Sequence, residues 1–230
     1  MTEITDTDSE LVHRSQERYR LPQGARQILL IRHGSSVGET MDTIELGALT
    51  ISDPCLSPEG ESQAALLADY LATEEIAAIF VTPLRRTHQT AAPLAARREL
   101  PTIEIADLRE VHLGDWEHSF YGHARAGHPL VSRMFAEESW EVVPNAEPVH
   151  AFAARVRRGI EAIVNAVPAG TTVAAFSHAG TIAELCRQAT GSRPFAFMAP
   201  ENSSVSRLVV TERGEWKLRS FNDVAHLGYS

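Results

Sequence analysis

Cysteine is scarce in this chain, which has only Cys55 and Cys186 among its 230 residues. The two thiols lie far apart in sequence, and neither has a second cysteine or a histidine at the spacing of a metal site. The sequence therefore gives no sign of a disulfide framework or a structural metal. Neither is needed, because a chain of this length can bury roughly 70% of the surface that it exposes when unfolded.

Long apolar segments and a basic leader are also missing. No run of about 18 apolar residues could span a membrane. The first ten residues are polar and acidic, and they lack the basic and apolar parts of a secretory signal. We therefore expect a soluble, cytoplasmic protein that does not bind membranes.

Basic residues are fewer than acidic ones, because the chain has 21 Lys and Arg but 30 Asp and Glu, and its formal net charge is −9. An acidic protein repels nucleic acid, so we expect no nucleic-acid partner. The same charge repels a small phosphorylated molecule at long range. Attraction for such an anion must therefore come from a few arginines and dipoles close to the site.

Apolar runs of strand length alternate with segments of helical spacing. The predicted strands cover residues 28–31, 76–81, 172–176, 205–210 and 216–221. The longest helical pattern, 147–167, leads into the third of these runs. This alternation predicts an α/β fold, a three-layer α/β/α sandwich with a mostly parallel central sheet. The last two runs form a hairpin that adds an antiparallel edge strand.

Prolines mark the expected limits of two helices. Ser57 and Thr82, each followed by a proline, are the expected helix N-caps. Pro93 removes a hydrogen bond from the interior of the second helix and should kink or break it before residues 94–98. Residues 35–54 are predicted to be irregular.

Two histidines each follow a predicted strand: His33 ends the run ILLIRH, and His178 ends the run VAAFSH. Ligands of open α/β sheets bind at the carboxyl ends of the strands, so both imidazoles should lie in one crevice. Arg32 stands next to His33. A guanidinium can bind two phosphate oxygens at once, and an imidazole can attack phosphorus. This combination makes phosphoryl chemistry the leading hypothesis.

Three more segments follow Arg32-His33-Gly34 along the chain. They are Pro83-Leu84-Arg85-Arg86 with Thr90-Ala91, then Leu108-Arg109-Glu110, then Ser177-His178-Ala179-Gly180. In order and spacing, the four segments resemble the histidine phosphatase superfamily, also called phosphoglycerate mutase-like, over roughly residues 27–227. Each segment alone is a weak signal, but four in order are specific.

The resemblance implies a role for five residues. His33 would be the nucleophile that forms a phosphohistidine, and Glu110 would be the general acid and base. Arg32, Arg86 and His178 would hold the phosphoryl group. These donors leave no need for a metal or another cofactor, and we expect none.

Nucleophilic attack requires a neutral, oriented imidazole. Nearby arginines disfavour protonation of His33 and should lower its pKa. Its other ring nitrogen needs a fixed acceptor, and the backbone carbonyl of Gly34 would serve.

Ser36 and Ala179 complete the predicted substrate-binding set, and Arg85 is expected to point to solvent. Glu39 stands where the family often has Asn. A carboxylate there would repel phosphate unless it turned away or paired with a cation. We expect it to turn away, because Gly38 lets the backbone diverge.

His112, Asp115 and His118 form the one candidate metal triad in the sequence. Gly114 interrupts the segment and no distant fourth ligand is evident, so we predict no metal there.

Two regions flank or interrupt the predicted domain, which covers residues 27–230. Residues 1–26 are expected to form a flexible arm, because polar termini are usually disordered unless they are tied down. Residues 115–145 have no clear period and lie between Glu110 and the long helix. Together with the resemblance, this position predicts a partly helical lid over the site.

The sequence favours a metal-independent phosphatase that hydrolyses a small phosphorylated metabolite through a phosphohistidine. A phosphoglycerate mutase-type phosphotransferase would use the same residues, but the His-Tyr-Gly run and the basic insertion typical of mutases are missing. A degenerate phosphate-binding regulatory protein is the third hypothesis, which the complete set of donors disfavours. A homodimer is left open, and the substrate cannot be read from the sequence.

Overall fold

The computed structural model describes residues 19–38 and 40–228. Its strands are β1 (Arg26–Arg32), β2 (Thr43–Leu46), β3 (Leu49–Ser52), β4 (Ile76–Val81), β5 (Thr102–Glu104), β6 (Thr172–Ser177), β7 (Val205–Val210) and β8 (Trp216–Asp223). Its α-helices are α1 (Pro58–Tyr70), α2 (Arg85–Arg98), α3 (Phe120–Arg125), α4 (Pro129–Glu137), α5 (Val149–Ala166) and α6 (Ala179–Thr190).

A six-stranded sheet forms the centre of the protein, in the strand order β5-β4-β6-β1-β7-β8. Neighbours from β5 to β1 are parallel, whereas β7 runs antiparallel to β1 and β8. The prediction of a mostly parallel sheet with an antiparallel edge is confirmed. The carboxyl ends of β4, β6 and β1 therefore lie along one edge of the sheet, where folds of this kind bind ligands.

Successive residues of the central strands point to opposite faces of the sheet, as the two-residue period of a strand requires. On one face, Ile28 and Leu30 join the apolar core that contains α5 and α6. On the other face, Leu29 and Ile31 join the core that contains α1 and α2. All four side chains are fully buried. The helices thus cover both faces, which is the predicted three-layer sandwich.

The two proline-marked helices begin differently. Ser57 is the N-cap of α1, and its hydroxyl accepts a hydrogen bond from Gly60 N at 3.2 Å, as predicted. Helix α2 instead has Leu84 as its N-cap, without a side-chain hydrogen bond, so the prediction for Thr82 is wrong. The hydroxyl of Thr82 has another partner, because it lies 3.0 Å from Nε2 of His178.

Helix α2 continues through Pro93 to Arg98, so the predicted break is wrong. Proline lacks the N–H that would bond the carbonyl four residues earlier, which costs one helix hydrogen bond. Ala91 and Leu94, on either side of Pro93, are both fully buried against the sheet. Tertiary packing on both sides of the proline therefore holds the helix together.

Residues 35–54 are not wholly irregular, because they contain the antiparallel pair β2 and β3. Leu46 pairs with Leu49, which leaves a two-residue turn. Gly47 has a φ of 67° at the first position of this turn, as a type II′ hairpin turn requires. Each strand has only four residues, too few for a clear alternating pattern in the sequence.

The predicted lid segment, 115–145, is partly helical, with α3, α4 and 3-10 turns at Gly114–Trp116 and Trp140–Val142. Residues 1–18 of the predicted arm and Glu39 lie outside the described residues. In the part that is described, no helix is both long and apolar enough to cross a membrane.

Candidate active site

Adjacent parallel strands bring the two histidines together. His33 follows β1 and His178 follows β6, and the backbone N–H of His33 donates to Ser177 O at 3.0 Å. The centroids of the two imidazole rings are 5.2 Å apart. The two rings therefore lie side by side at this edge of the sheet, as the strand order predicts.

One ring nitrogen of His33 is held by a hydrogen bond, and the other has no hydrogen-bond partner among the described residues. Nδ1 lies 2.7 Å from Gly34 O, as predicted. Because a carbonyl only accepts hydrogen bonds, Nδ1 carries the hydrogen and Nε2 carries the lone pair. Burial, then Arg86, then Arg32 hold the pKa of His33 well below its ordinary value. The predicted direction is correct, although burial has a larger effect than either arginine.

Two glycines allow the loop after His33 to approach α1. A Cβ on Gly34 would lie 2.7 Å from Gly60 O, and a Cβ on Gly60 would lie 2.0 Å from Ser35 O. Gly34 N also donates to Thr90 Oγ1 at 2.9 Å, and Thr90 Oγ1 donates to the carbonyl of Arg86 at 2.7 Å. The motif residues Gly34 and Thr90 therefore couple the His33 loop to the helix that carries Arg86.

Two arginines flank His33. Arg86 is only 8% exposed, and its Nη1 donates to Ser52 O at 3.1 Å and lies 3.9 Å from Asp53 Oδ1. Arg32 donates from Nη1 to Pro200 O at 2.6 Å, while its buried Nε has no partner among the described residues. Both arginines, together with burial, lower the pKa of both histidines.

His178 is fully buried, and one of its two ring nitrogens has a hydrogen-bond partner among the described residues. Its Nε2 is 3.0 Å from Thr82 Oγ1, and its Nδ1 has no partner among the described residues. Burial, then Arg86, then His33 hold the pKa of His178 well below its ordinary value. The imidazole is therefore neutral near neutral pH, with one buried nitrogen free for a ligand.

The Glu110 carboxylate lies at the N-terminus of α6. Its Oε1 accepts from Val111 N and Thr181 N, and its Oε2 accepts from Gly180 N, each at 3.0 Å. A Cβ on Gly180 would lie 2.7 Å from Glu110 Oε1, so glycine lets the carboxylate approach the helix this closely. Ala179 is the first residue of α6, directly after His178. The amides that begin α6 thus hold the predicted acid next to the histidine pair.

Arg155 of α5 is a residue that the sequence analysis missed. It is 5% exposed and donates to the carbonyls of Asp107, Arg109 and Glu110 at 2.9, 2.8 and 2.8 Å. It also binds both carboxylate oxygens of Glu147 at 2.7 Å. Arg155 therefore fixes the loop that carries Glu110. Its position within the apolar stripe of α5 was the available signal.

The hairpin of β2 and β3 connects Arg86 to the predicted lid. Ser52, whose carbonyl accepts from Arg86, donates its N–H to Glu117 Oε1 at 3.2 Å. Arg85 points partly to solvent, as predicted, but it is also held by two acidic residues. Although its side chain is 41% exposed, it binds the Asp42 carboxylate, and its Nε donates to Asp53 O at 2.6 Å.

The remaining predicted residues make other contacts. Ser36 pairs with Leu56 in an isolated bridge, and no hydrogen bond links its hydroxyl to the site within the described chain. His112 accepts from Gly114 N at 3.2 Å, and Asp115 accepts from Asn145 at 2.8 Å. In residues 19–38 and 40–228, no three His, Cys, Asp or Glu side chains are arranged to hold a metal.

The chain belongs to the histidine phosphatase superfamily (branch 1), whose sequence pattern matches residues 28–224. It is 28% identical over 217 residues to a probable phosphoglycerate mutase of Yersinia enterocolitica, covering 87% of this chain and 94% of the relative. It is 31% identical over 116 residues to phosphoserine phosphatase 1 of Hydrogenobacter thermophilus, covering 50% of this chain and 53% of that one.

A similar solved structure is that of a mycobacterial glucosyl-3-phosphoglycerate phosphatase in complex with VO3. It has a TM-score of 0.72 and 27% sequence identity, and the match covers 86% of this chain and 99% of that one. The same mycobacterial enzyme with inorganic phosphate has a TM-score of 0.70 and 25% identity, over 87% and 99% of the two chains. Both phosphatases and mutases are thus among the relatives of this chain.

Proposed function

We propose that this chain is a metal-independent phosphatase that hydrolyses a small phosphate monoester through a phosphohistidine. The observation that carries the proposal is the neutral His33 imidazole, with its lone pair on Nε2 and with its pKa lowered by burial, Arg86 and Arg32. Two buried nitrogens next to it, Arg32 Nε and His178 Nδ1, have no partner within the described chain. Buried polar nitrogens normally have a partner, and the oxygens of a bound phosphoryl group would supply one.

In the first step of the proposed mechanism, the lone pair of His33 Nε2 forms a bond to phosphorus and the ester P–O bond breaks. Glu110 gives its proton to the departing oxygen. Arg32, Arg86 and His178 stabilise the charge on the equatorial oxygens, which is where a loose phosphoryl-transfer transition state carries it. The Gly34 carbonyl accepts from Nδ1 and stabilises the positive charge that the imidazole gains.

In the second step, the Glu110 carboxylate takes a proton from water, and the water oxygen bonds to phosphorus. The P–N bond breaks and its electron pair returns to His33 Nε2. The Glu110 oxygen Oε2 suits this exchange, because it accepts one backbone N–H and keeps a second lone-pair position for the proton. Residues 115–145 would act as the lid, attached to the Arg86 side through Glu117 and Ser52.

The phosphotransferase alternative rests on the probable phosphoglycerate mutase of Yersinia enterocolitica. The two activities differ in what accepts the phosphoryl group from His33. Incubation with 3-phosphoglycerate distinguishes them, because a phosphatase releases inorganic phosphate and a mutase produces 2-phosphoglycerate. The expected substrate is a small metabolite rather than nucleic acid, given the net charge of −9.

The direct test is to trap the intermediate with radiolabelled 4-nitrophenyl phosphate. Phosphohistidine is labile in acid and stable in base, so rapid quenching should give an acid-labile label on His33 that H33A lacks. Label on Ser, Asp or Cys, or undiminished turnover by H33A, would overturn the proposal. A panel of phosphorylated sugars, glycerates and nucleotides, scored by phosphate release, then identifies the substrate class.

A further inference from the structure

The contact between Thr82 and His178 follows from the sheet order. Strands β4 and β6 are parallel neighbours, with Phe80 paired to Ala175. Thr82 directly follows β4 and His178 directly follows β6, so the two side chains meet at the same edge of the sheet. Thr82 Oγ1 and His178 Nε2 are 3.0 Å apart, and both residues are fully buried.

Either partner could donate in this contact, and hydrogen bonds around Thr87 bear on the choice. Thr87 Oγ1 lies 2.8 Å from Leu84 O and 3.0 Å from Thr82 O, which only accept, so these carbonyls take its hydrogen. Thr87 Oγ1 already accepts from Thr82 N at 3.2 Å, and it also lies 3.1 Å from Thr82 Oγ1. Thr87 Oγ1 and His178 Nε2 are thus the two acceptors within reach of the Thr82 hydroxyl hydrogen, and Nε2 is the nearer, at 3.0 Å.

The other nitrogen of His178 leads to the same assignment. In the proposed function, the unpartnered Nδ1 faces the oxygens of a phosphoryl group, which can only accept when they are ionised. A neutral imidazole carries one hydrogen, and a contact with those oxygens requires that hydrogen on Nδ1. Nε2 is then a bare acceptor, and the group within reach that can donate to it is the Thr82 hydroxyl.

We propose that Thr82 is a positioning residue that donates to Nε2 of His178, holds the imidazole in the Nδ1–H form and so aims a neutral donor at the phosphoryl group. The proposal rests on the proposed function, because it assumes that an oxyanion binds there. The low pKa of His178 supports the proposal, because only a neutral imidazole exists as two different tautomers. Without the hydroxyl, the ring is free to adopt the Nε2–H form, whose Nδ1 lone pair would repel the oxyanion.

The tautomer can be measured without turnover. Two-bond hydrogen–nitrogen correlation spectra of the full chain with isotope-labelled histidine distinguish Nδ1–H from Nε2–H rings, and H178N identifies the His178 signals. We expect the Nδ1–H form in the wild type and in T82S, which keeps the hydroxyl. T82V should shift His178 toward Nε2–H and weaken the binding of inorganic phosphate roughly ten- to a hundredfold, because a hydrogen bond to a charged group is lost.

T87V is the matched control, because Thr87 is equally buried and lies 3.1 Å from the Thr82 hydroxyl but has no hydrogen bond to His178 among the described residues. It should destabilise the protein and leave the tautomer unchanged. An Nε2–H ring in the wild type, or phosphate affinity in T82V equal to that of the wild type, would overturn the proposal. The wild-type spectrum decides the matter even if T82V does not fold. Failure of the proposed function itself would appear elsewhere, as the absence of a phosphohistidine on His33.

Discussion

Arg155 binds Glu147 through both carboxylate oxygens at 2.7 Å, and this pair, with side chains 6% and 11% exposed, contacts the loop that carries Glu110. The remaining donor capacity of Arg155 is used on three carbonyls of that loop. Glu147 binds the far end of the loop, because its Oε2 accepts from His112 N at 3.3 Å. The pair therefore connects α5 to the loop of Glu110, the proposed general acid.

R155M should both destabilise the protein and misplace Glu110. Removing one member of a buried ion pair costs about 3 to 5 kcal/mol. We expect the lower end, because Arg109 Nη1 stays 3.5 Å from Glu147. Urea unfolding measures this loss. Turnover of an alkyl phosphate should fall more than turnover of 4-nitrophenyl phosphate, since an alkyl leaving group needs protonation.

R158M is the matched control for R155M. Arg158 lies one turn from Arg155 on α5, and its exposed pair with Asp107 is 3.3 Å long. Exposed pairs contribute less than about 1 kcal/mol, so this variant should behave like the wild type. Equal losses in the two variants, or an unchanged alkyl-to-nitrophenyl ratio in R155M, would contradict the positioning role. If R155M does not fold, R155K keeps the charge without the paired hydrogen bonds and tests the same ratio.

E110Q tests the acid and base role directly. The amide cannot supply a proton to the leaving oxygen, so hydrolysis of alkyl phosphates should fall by about a hundredfold or more. Formation of the phosphoenzyme from 4-nitrophenyl phosphate should be far less affected, since nitrophenolate leaves without protonation. Burst and steady-state rates with the two substrates make the comparison. The same loss in the rate of phosphoenzyme formation with both leaving groups would assign Glu110 a structural role only.

The sequence predicted the positions of the histidines because the signal is local. Each one follows an apolar run, and the ends of adjacent parallel strands meet at one edge of the sheet. The Gly34 carbonyl contact was predictable for the same reason, since it lies one residue from His33. Glu110 was implied by the family resemblance, but its attachment to the first amides of α6 depends on the packing of a separate loop.

Arg155 and Thr82 could not be assigned from the sequence because their partners are distant along the chain. Arg155 reads as one polar residue in a helix, and the loop that it binds precedes it by more than 40 residues. The sequence around Thr82 predicts a helix cap, whereas its hydroxyl contacts His178, which is 96 residues away in the chain. Pro93 illustrates the same limit, because tertiary packing of Ala91 and Leu94 outweighs a local signal that predicts a break.

Glu39 lies outside the described residues, and its effect stays a prediction from the sequence. A carboxylate about 4 Å from a phosphate dianion would be repelled by several kcal/mol at an effective dielectric near 20. A working enzyme must therefore hold Glu39 away from the phosphate or pair it with a cation. We expect E39Q to change the KM for a simple phosphate monoester less than about threefold, or ~0.7 kcal/mol. A tenfold gain in apparent affinity would place Glu39 against the phosphate and favour the degenerate or cationic-substrate hypotheses.

Stability should fall as the pH is lowered through the range just below the ordinary histidine pKa. Burial holds the pKa values of His33 and His178 well below that value in the folded protein. The two histidines of the unfolded chain therefore bind protons near pH ~6.5, whereas those of the folded chain do not, so the free energy of unfolding decreases in acid. The contribution is fully present above pH ~6.5 and declines below it, by up to about 1.4 kcal/mol per pH unit for each histidine.

H178N isolates one of these contributions, because it removes one group that titrates only on unfolding. Urea unfolding of both proteins between pH 5.5 and 7.5 gives the free energy of unfolding at each pH. The free energy of unfolding should change less steeply with pH in H178N than in the wild type, by up to about 1.4 kcal/mol per pH unit, whatever the stability of H178N at pH 7.5. His226, whose pKa is also lowered by burial, contributes to both proteins and cancels in the difference. Parallel slopes would mean that His178 is protonated in the folded protein, and the neutral donor assigned to it would have to be abandoned.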